Sequence, residues 1–144
     1  MKRIPHIKTV MTAFPYSIDI EAPIAEAQAL MEEHQIRHLP VMKNGALAGV
    51  ISDRDVKLTL DPELGYQPDG IVLVRHVCNH DVYVVDLNEQ LDRVAADMAE
   101  RHIGSALVTK DEKLVGVFTV TDACRLLAEY LRKEFFHSPG TDAA

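Results

Sequence analysis

The stretch GVISDRD, Gly49–Asp55, returns as GVFTVTD, Gly116–Asp122, and this internal echo constrains the fold more than any other feature. The offset is 67 residues. It pairs Gly49 with Gly116, Ser52 with Thr119 and Asp55 with Asp122. The same register pairs Tyr16 with Tyr83, Asp19 with Asp86, Met31 with Met98, Ile36 with Ile103 and Val41 with Val108. A chain that repeats without gaps over such a span is built from two copies of one supersecondary unit.

Each copy predicts the order β-α-β-β-α. YSIDI and YVVDL read as short strands. Ile24, Ala27, Met31 and Ile36 mark an amphipathic helix in the first copy, and Leu91, Val94, Met98 and Ile103 mark one in the second. HLPVM and ALAGVIS follow as two strands, as do SALVT and LVGVFT. Asn-Gly in MKNGA is a strong hairpin signal. A further helix starts after Ser52 and after Thr119. The expected division is repeat 1 over 1–62, a linker over 63–73, repeat 2 over 74–136 and a frayed tail over 137–144. The fold class is α+β. A half of about 65 residues is marginal alone, so the two halves are expected to pack together with approximate two-fold symmetry. The last helix carries Leu127, Tyr130, Leu131, Phe135 and Phe136, a surface for the N-terminal segment or another subunit.

Composition limits the function classes. The 144 residues are 47% hydrophobic, enough for a core. No apolar run approaches the roughly 18–20 residues of a membrane span, so no membrane insertion is expected. Nor does a signal peptide stand out, which predicts a cytoplasmic protein. The two cysteines suggest no disulfide framework. A net charge of −7 argues against nucleic-acid binding. It leaves room for a small anion, because local Arg and His outweigh distant charge screened over about 8–10 Å.

The stretches IRHLPVMKNGALAGVISDRDV and IGSALVTKDEKLVGVFTVTDA resemble the CBS domain, named after cystathionine beta-synthase. The resemblance covers about residues 5 to 133. It implies a tandem pair, or Bateman module, of two CBS repeats that binds AMP, ADP, ATP or S-adenosylmethionine as a regulatory ligand. It also implies a homodimer and a separate regulated protein. No required cofactor is implied.

The repeated turn supports two readings. Ser-x-x-Asp and Thr-x-x-Asp are helix caps, with the hydroxyl accepting from an amide and the Asp at the positive helix end. The same helix end suits a phosphate, and a carboxylate accepts from two ribose hydroxyls at once. The resemblance implies that Asp55 and Asp122 hold ribose and that Ser52 and Thr119 lie near phosphate. Arg37 and His38 precede LPV, where related modules place basic phosphate ligands, and Arg54 lies nearby. The second copy has Gly104 and Ser105 at these positions, so the cleft at Asp122 is expected to be the less basic. The resemblance further implies composite pockets: Asp55 joined by residues around Cys78, Asn79 and Tyr83, and Asp122 by residues around Met11, Thr12 and Tyr16. Tyr16 and Tyr83 are equally readable as strand aromatics packing the core.

His76, Cys78 and His80 form H-x-C-x-H, but a structural zinc needs four ligands and no second dense cluster is visible. No nucleophile elbow, P-loop or metalloprotease motif occurs, so no enzyme is expected. The main alternative to a nucleotide sensor is a ligand-free oligomerisation or interaction scaffold.

Overall fold

The computed structural model describes residues 3–13, 15–64 and 71–136. Phe14, residues 65–70 of the expected linker and the expected tail lie outside the described residues. The first copy builds β2 (Ile18–Asp19), α1 (Ile24–His34), β3 (His38–Lys43), β4 (Ala46–Ser52) and α2 (Asp53–Leu60). The second builds β5 (Val84–Asp86), α4 (Leu91–Arg101), β6 (Ser105–Lys110), β7 (Lys113–Thr119) and α5 (Val120–Phe136). Ahead of them stand β1 (Thr12–Ala13) and α3 (Val74–Val77) respectively. This is the β-α-β-β-α order that the repeat predicts.

Local chemistry explains the hairpins. Asn44 and Gly45 have φ of 51° and 80°, the two positive angles of a type I′ turn. Asp111 and Glu112 make the same turn with φ of 51° and 66° and no glycine. Helices α1 and α4 both stop on a left-handed residue, Gln35 and His102, each at φ 54°. The 67-residue offset thus extends to backbone conformation.

The strands form two sheets, ordered β2-β3-β4 and β1-β7-β6-β5. In the first, β2 runs parallel to β3, and β3 antiparallel to β4. The second repeats this with β5, β6 and β7. Strand β1 belongs to the first copy in sequence, yet pairs with β7 of the second through Thr12–Val117 and Ala13–Gly116. The converse bond joins Asn79 to Val50 of β4, with N···O distances of 2.8 and 3.0 Å in the two directions.

This exchange of lead-in segments continues along the chain. Ile7 and Lys8 donate to the carbonyls of Glu89 and Leu87. Val74 and Arg75 donate to those of Ala22 and Ile20. Accordingly, Ile7 lies in the core made by Val85, Val94, Met98, Ala106, Val108 and Phe118. Val74 and Cys78 lie in the core made by Ile18, Ile24, Met31, Leu39, Val41 and Ile51. Each sheet is therefore completed by the other copy's leading residues. Gly49 permits the closure at Asn79, because a Cβ there would fall 2.7 Å from the Asn79 carbonyl oxygen.

Helix α5 has two faces. Ala123 and Leu126 pack on the second core. Leu127, Tyr130, Leu131, Phe135 and Phe136 are exposed, so the N-terminal segment does not cover them.

The exchange makes a prediction. Ile7 is fully buried although it precedes every strand, so Ile7→Ala is expected to lower unfolding free energy by about 2–5 kcal/mol in urea titration. Ile4→Ala, three residues away and exposed, is expected to change it by less than about 0.5 kcal/mol.

Candidate functional site

The ends of β3, β4 and α2 converge because the hairpin register pairs His38 with Ser52. Ser52 is the last residue of β4 and the N-cap of α2, and its Oγ accepts from the Asp55 amide at 3.1 Å. Imidazole, hydroxyl and carboxylate thus sit at one end of one sheet. Across from them lies the start of β6.

Between these elements is a cavity of about 600 Å³, within the range of small-ligand pockets. His38, Ser52, Arg54 and Asp55 line it from the first copy. Asn79, Tyr83 and Ser105 line it from the second. All seven are residues singled out in the sequence. Six more walls were not among the candidate site residues: Val50, Asp81, Arg101, His102, Ile103 and Gly104. Shifting Arg37 and His38 by the repeat offset gives Gly104 and Ser105, so the α4–β6 junction was findable once the exchange across the axis was allowed for.

Asp55 also borders a more open hollow of about 420 Å³, walled by Leu58, Thr59, Val72, His76 and Val77. The carboxylate therefore stands between a polar cavity and a partly apolar one. It accepts no hydrogen bond and makes no ion pair among the described residues.

Asp122 has the same sequence frame and a different state. Its Oδ2 accepts from the Thr119 amide at 2.9 Å and from the Thr119 hydroxyl at 3.0 Å. Its own amide donates back to Thr119 Oγ1 at 3.2 Å. Arg125 Nη1 lies 3.2 Å from Oδ1. This is a closed capping box with an added cation. Leu58 occupies the repeat position of Arg125, so α2 offers Asp55 no such cation.

The remaining candidates are placed as follows. Arg37 is exposed and absent from the walls beside Asp55; only its carbonyl is engaged, accepting from Asp53 N at 2.8 Å. Its repeat counterpart, Gly104, lines the Asp55 side, as do Arg101 and His102. Thr12 pairs with Val117 beside Thr119, and the Met11 side chain lies over Gly116. Tyr16 is exposed and stacks on His34, ring centroids 3.7 Å apart. Tyr83 carries Arg101 over its ring at 4.8 Å and donates to Asp97 at 2.8 Å. Burial, then the Asp97 hydrogen bond, push its phenol up to about 12, so it stays a donor. Tyr16 is thus no core aromatic, whereas Tyr83 packs half-buried against the second core.

Cys78 is buried with the first core, and burial raises its thiol pKa. His76 Nδ1 accepts from Leu73 N at 3.3 Å, and His80 Nε2 is 3.1 Å from the Arg75 carbonyl. The H-x-C-x-H motif is thus a turn. Among the described residues no three His, Cys, Asp or Glu side chains are grouped to hold a metal ion.

The His38 ring leans on Gly104, where a Cβ would fall 2.9 Å from Nε2. Glycine at 104 is therefore the complement of histidine at 38. Burial holds the imidazole below its ordinary 6.5, and Asp55 only partly offsets this.

Two predictions follow from these states. Asp122→Ala breaks the box and is expected to cost about 1–2 kcal/mol of stability, while Asp55→Ala is expected to cost under about 0.5 kcal/mol; thermal unfolding checks the difference. For His38 the folded pKa lies below the unfolded value. Its contribution is complete above pH 6.5 and is lost as pH falls through that value toward the folded pKa. Urea titration at several pH values is expected to show a shallower acid-side loss for His38→Gln.

The fold has clear relatives. The CBS domain profile matches residues 7–61 and 74–129. CBS domain-containing protein YhcV of Bacillus subtilis is 27% identical over 116 residues, 81% of each chain. Three longer relatives match over 23–24% of their own length. The CBS domain pair of protein MJ0100, solved with 5′-methylthioadenosine and S-adenosyl-L-methionine, superposes with a TM-score of 0.76 at 24% identity, covering 89% of this chain and 99% of that one. CBSX2, solved with AMP, gives 0.73 at 23% identity over 88% and 98%. With two matched copies, exchanged lead-in segments and these neighbours, the chain belongs to the CBS-domain family and folds as a CBS-domain pair.

Proposed function

We propose that this chain is a regulatory module that binds an adenosine-containing ligand in the Asp55 cavity and signals its occupancy to a separate protein. The observation that carries this is the Asp55 carboxylate, unpartnered at a helix N-terminus between a polar and a partly apolar hollow. Held there, a ribose donates two hydrogen bonds from its diol to one carboxylate. Its 5′ substituent reaches Ser52, His38, Arg54 and Arg101, and its base reaches Leu58, Val72 and Val77. Relatives solved with 5′-methylthioadenosine, S-adenosyl-L-methionine and AMP support the ligand class.

The ligand bridges both copies, since Asp55 comes from one and Asn79, Tyr83 and Arg101 from the other. It therefore favours one relative arrangement of the two sheets, by as much as its affinity differs between arrangements. The exposed apolar face of α5 is the surface assigned to a second copy of the chain. The reading needs no cofactor and no turnover, and it places the protein in the cytoplasm with adenine nucleotides. No helix among the described residues is long and apolar enough to cross a membrane.

A scaffold reading has one observation in its favour: the Thr119–Asp122 box is satisfied without ligand. It accounts for the second cleft and not for Asp55. Titration with AMP, ADP, ATP and S-adenosylmethionine separates the two. At about 100 times its dissociation constant a ligand is expected to stabilise the fold by about 2.7 kcal/mol, and Asp55→Ala is expected to abolish the gain. Absence of any shift with all four ligands would leave the scaffold.

A further inference from the structure

His38 stands where the two copies meet. It opens β3, and its ring leans over Gly104 at the start of β6. Acidic groups face it from both sides: Asp55 and Asp53 on α2, and Asp122 on α5. Arg37 is its charged neighbour along the chain. The cavity it lines also holds Arg54, Asp81, Arg101 and His102. The two arginines balance the two carboxylates of that wall, so the charge that remains is set by its two imidazoles, His38 and His102.

Burial keeps the ring mostly neutral near pH 7 in the free protein. A phosphate seated at the N-terminus of α2, beside Ser52, adds negative charge next to the imidazole. Opposite charge within a few ångströms favours the imidazolium. An uncharged ligand does neither.

Resting on the nucleotide reading above, we propose that His38 is the residue by which this cavity distinguishes phosphate-bearing from uncharged adenosyl ligands, taking up one proton from solvent as the phosphate seats. No bond to the ligand forms or breaks. The ring gains a second N–H donor, and the proton comes from water or buffer. Ligand affinity is then linked to pH with a defined sign. It is greatest where His38 is already protonated and weakens as pH rises, by at most tenfold per pH unit for one proton.

Calorimetric titration of the full chain near pH 7, in two buffers of different ionisation enthalpy, tests this with AMP and adenosine. AMP is expected to bind more tightly and with uptake of a substantial fraction of a proton, adenosine with none. In His38→Gln the AMP uptake is expected to vanish and the pH dependence between about 7 and 8, above the second phosphate ionisation at about 6, to flatten. In the wild-type chain the His38 ring resonance is expected to titrate at higher pH with AMP than without, a measurement that does not depend on the variant folding. AMP binding without uptake, equal uptake in His38→Gln, or an unmoved His38 titration would each overturn the inference alone. Failure of both ligands to bind would overturn the nucleotide reading and this inference together.

Discussion

The structure depends on a reciprocal backbone exchange. Thr12 pairs with Val117, and Asn79 pairs with Val50, so each copy's leading segment closes the other copy's sheet. Neither core is complete within its own repeat: Ile7 fills one, and Val74 with Cys78 fills the other. A three-stranded sheet with two helices buries too little apolar surface to be stable alone. Exchange couples the two marginal units into one. It also carries Asn79 and Tyr83 to the end of β4, and so makes a cavity that no single copy could form.

The two Asp residues show how little of a site lies in its motif. Ser52–Asp55 and Thr119–Asp122 share spacing, strand and helix start. One carboxylate is satisfied by its own cap and by Arg125, and the other is left free. The difference arises one turn further along the helix, where the first copy has Leu58 in place of arginine. A cap and a ligand site are thus alternative uses of one geometry, chosen by a neighbour outside the motif. The same holds on the opposite wall, where the His38 ring leaves no room for a Cβ at position 104.

Much of this was legible in the residues. Hairpins, helix starts and the α+β order follow from period and turn chemistry, which act locally. Ser52 and Asp55 were readable from hydroxyl and carboxylate at a strand end, and His38, Arg54, Asn79, Tyr83 and Ser105 from the family resemblance and the repeat offset; all seven line the cavity. Arg37 does not line it, since its neighbour His38 does and adjacent side chains on an extended chain point oppositely. Arg101 and His102 went unnoticed because they end a helix whose apolar face dominates its pattern. Tyr16 and Tyr83 were readable as core aromatics or as pocket residues; Tyr16 is exposed against His34, while Tyr83 packs on the second core and also lines the cavity under Arg101.

Sequence by itself determined the duplication, the element order, the turn types and the chemistry available at each strand end. These are set by side-chain period, by φ preference and by capping, all of which operate within a few residues. Only the tertiary structure decided which copy's residues meet, which carboxylate stays free and which base faces it. Those outcomes depend on pairing between segments about 30 to 100 residues apart in the chain, where packing and burial choose among partners that local chemistry leaves equivalent.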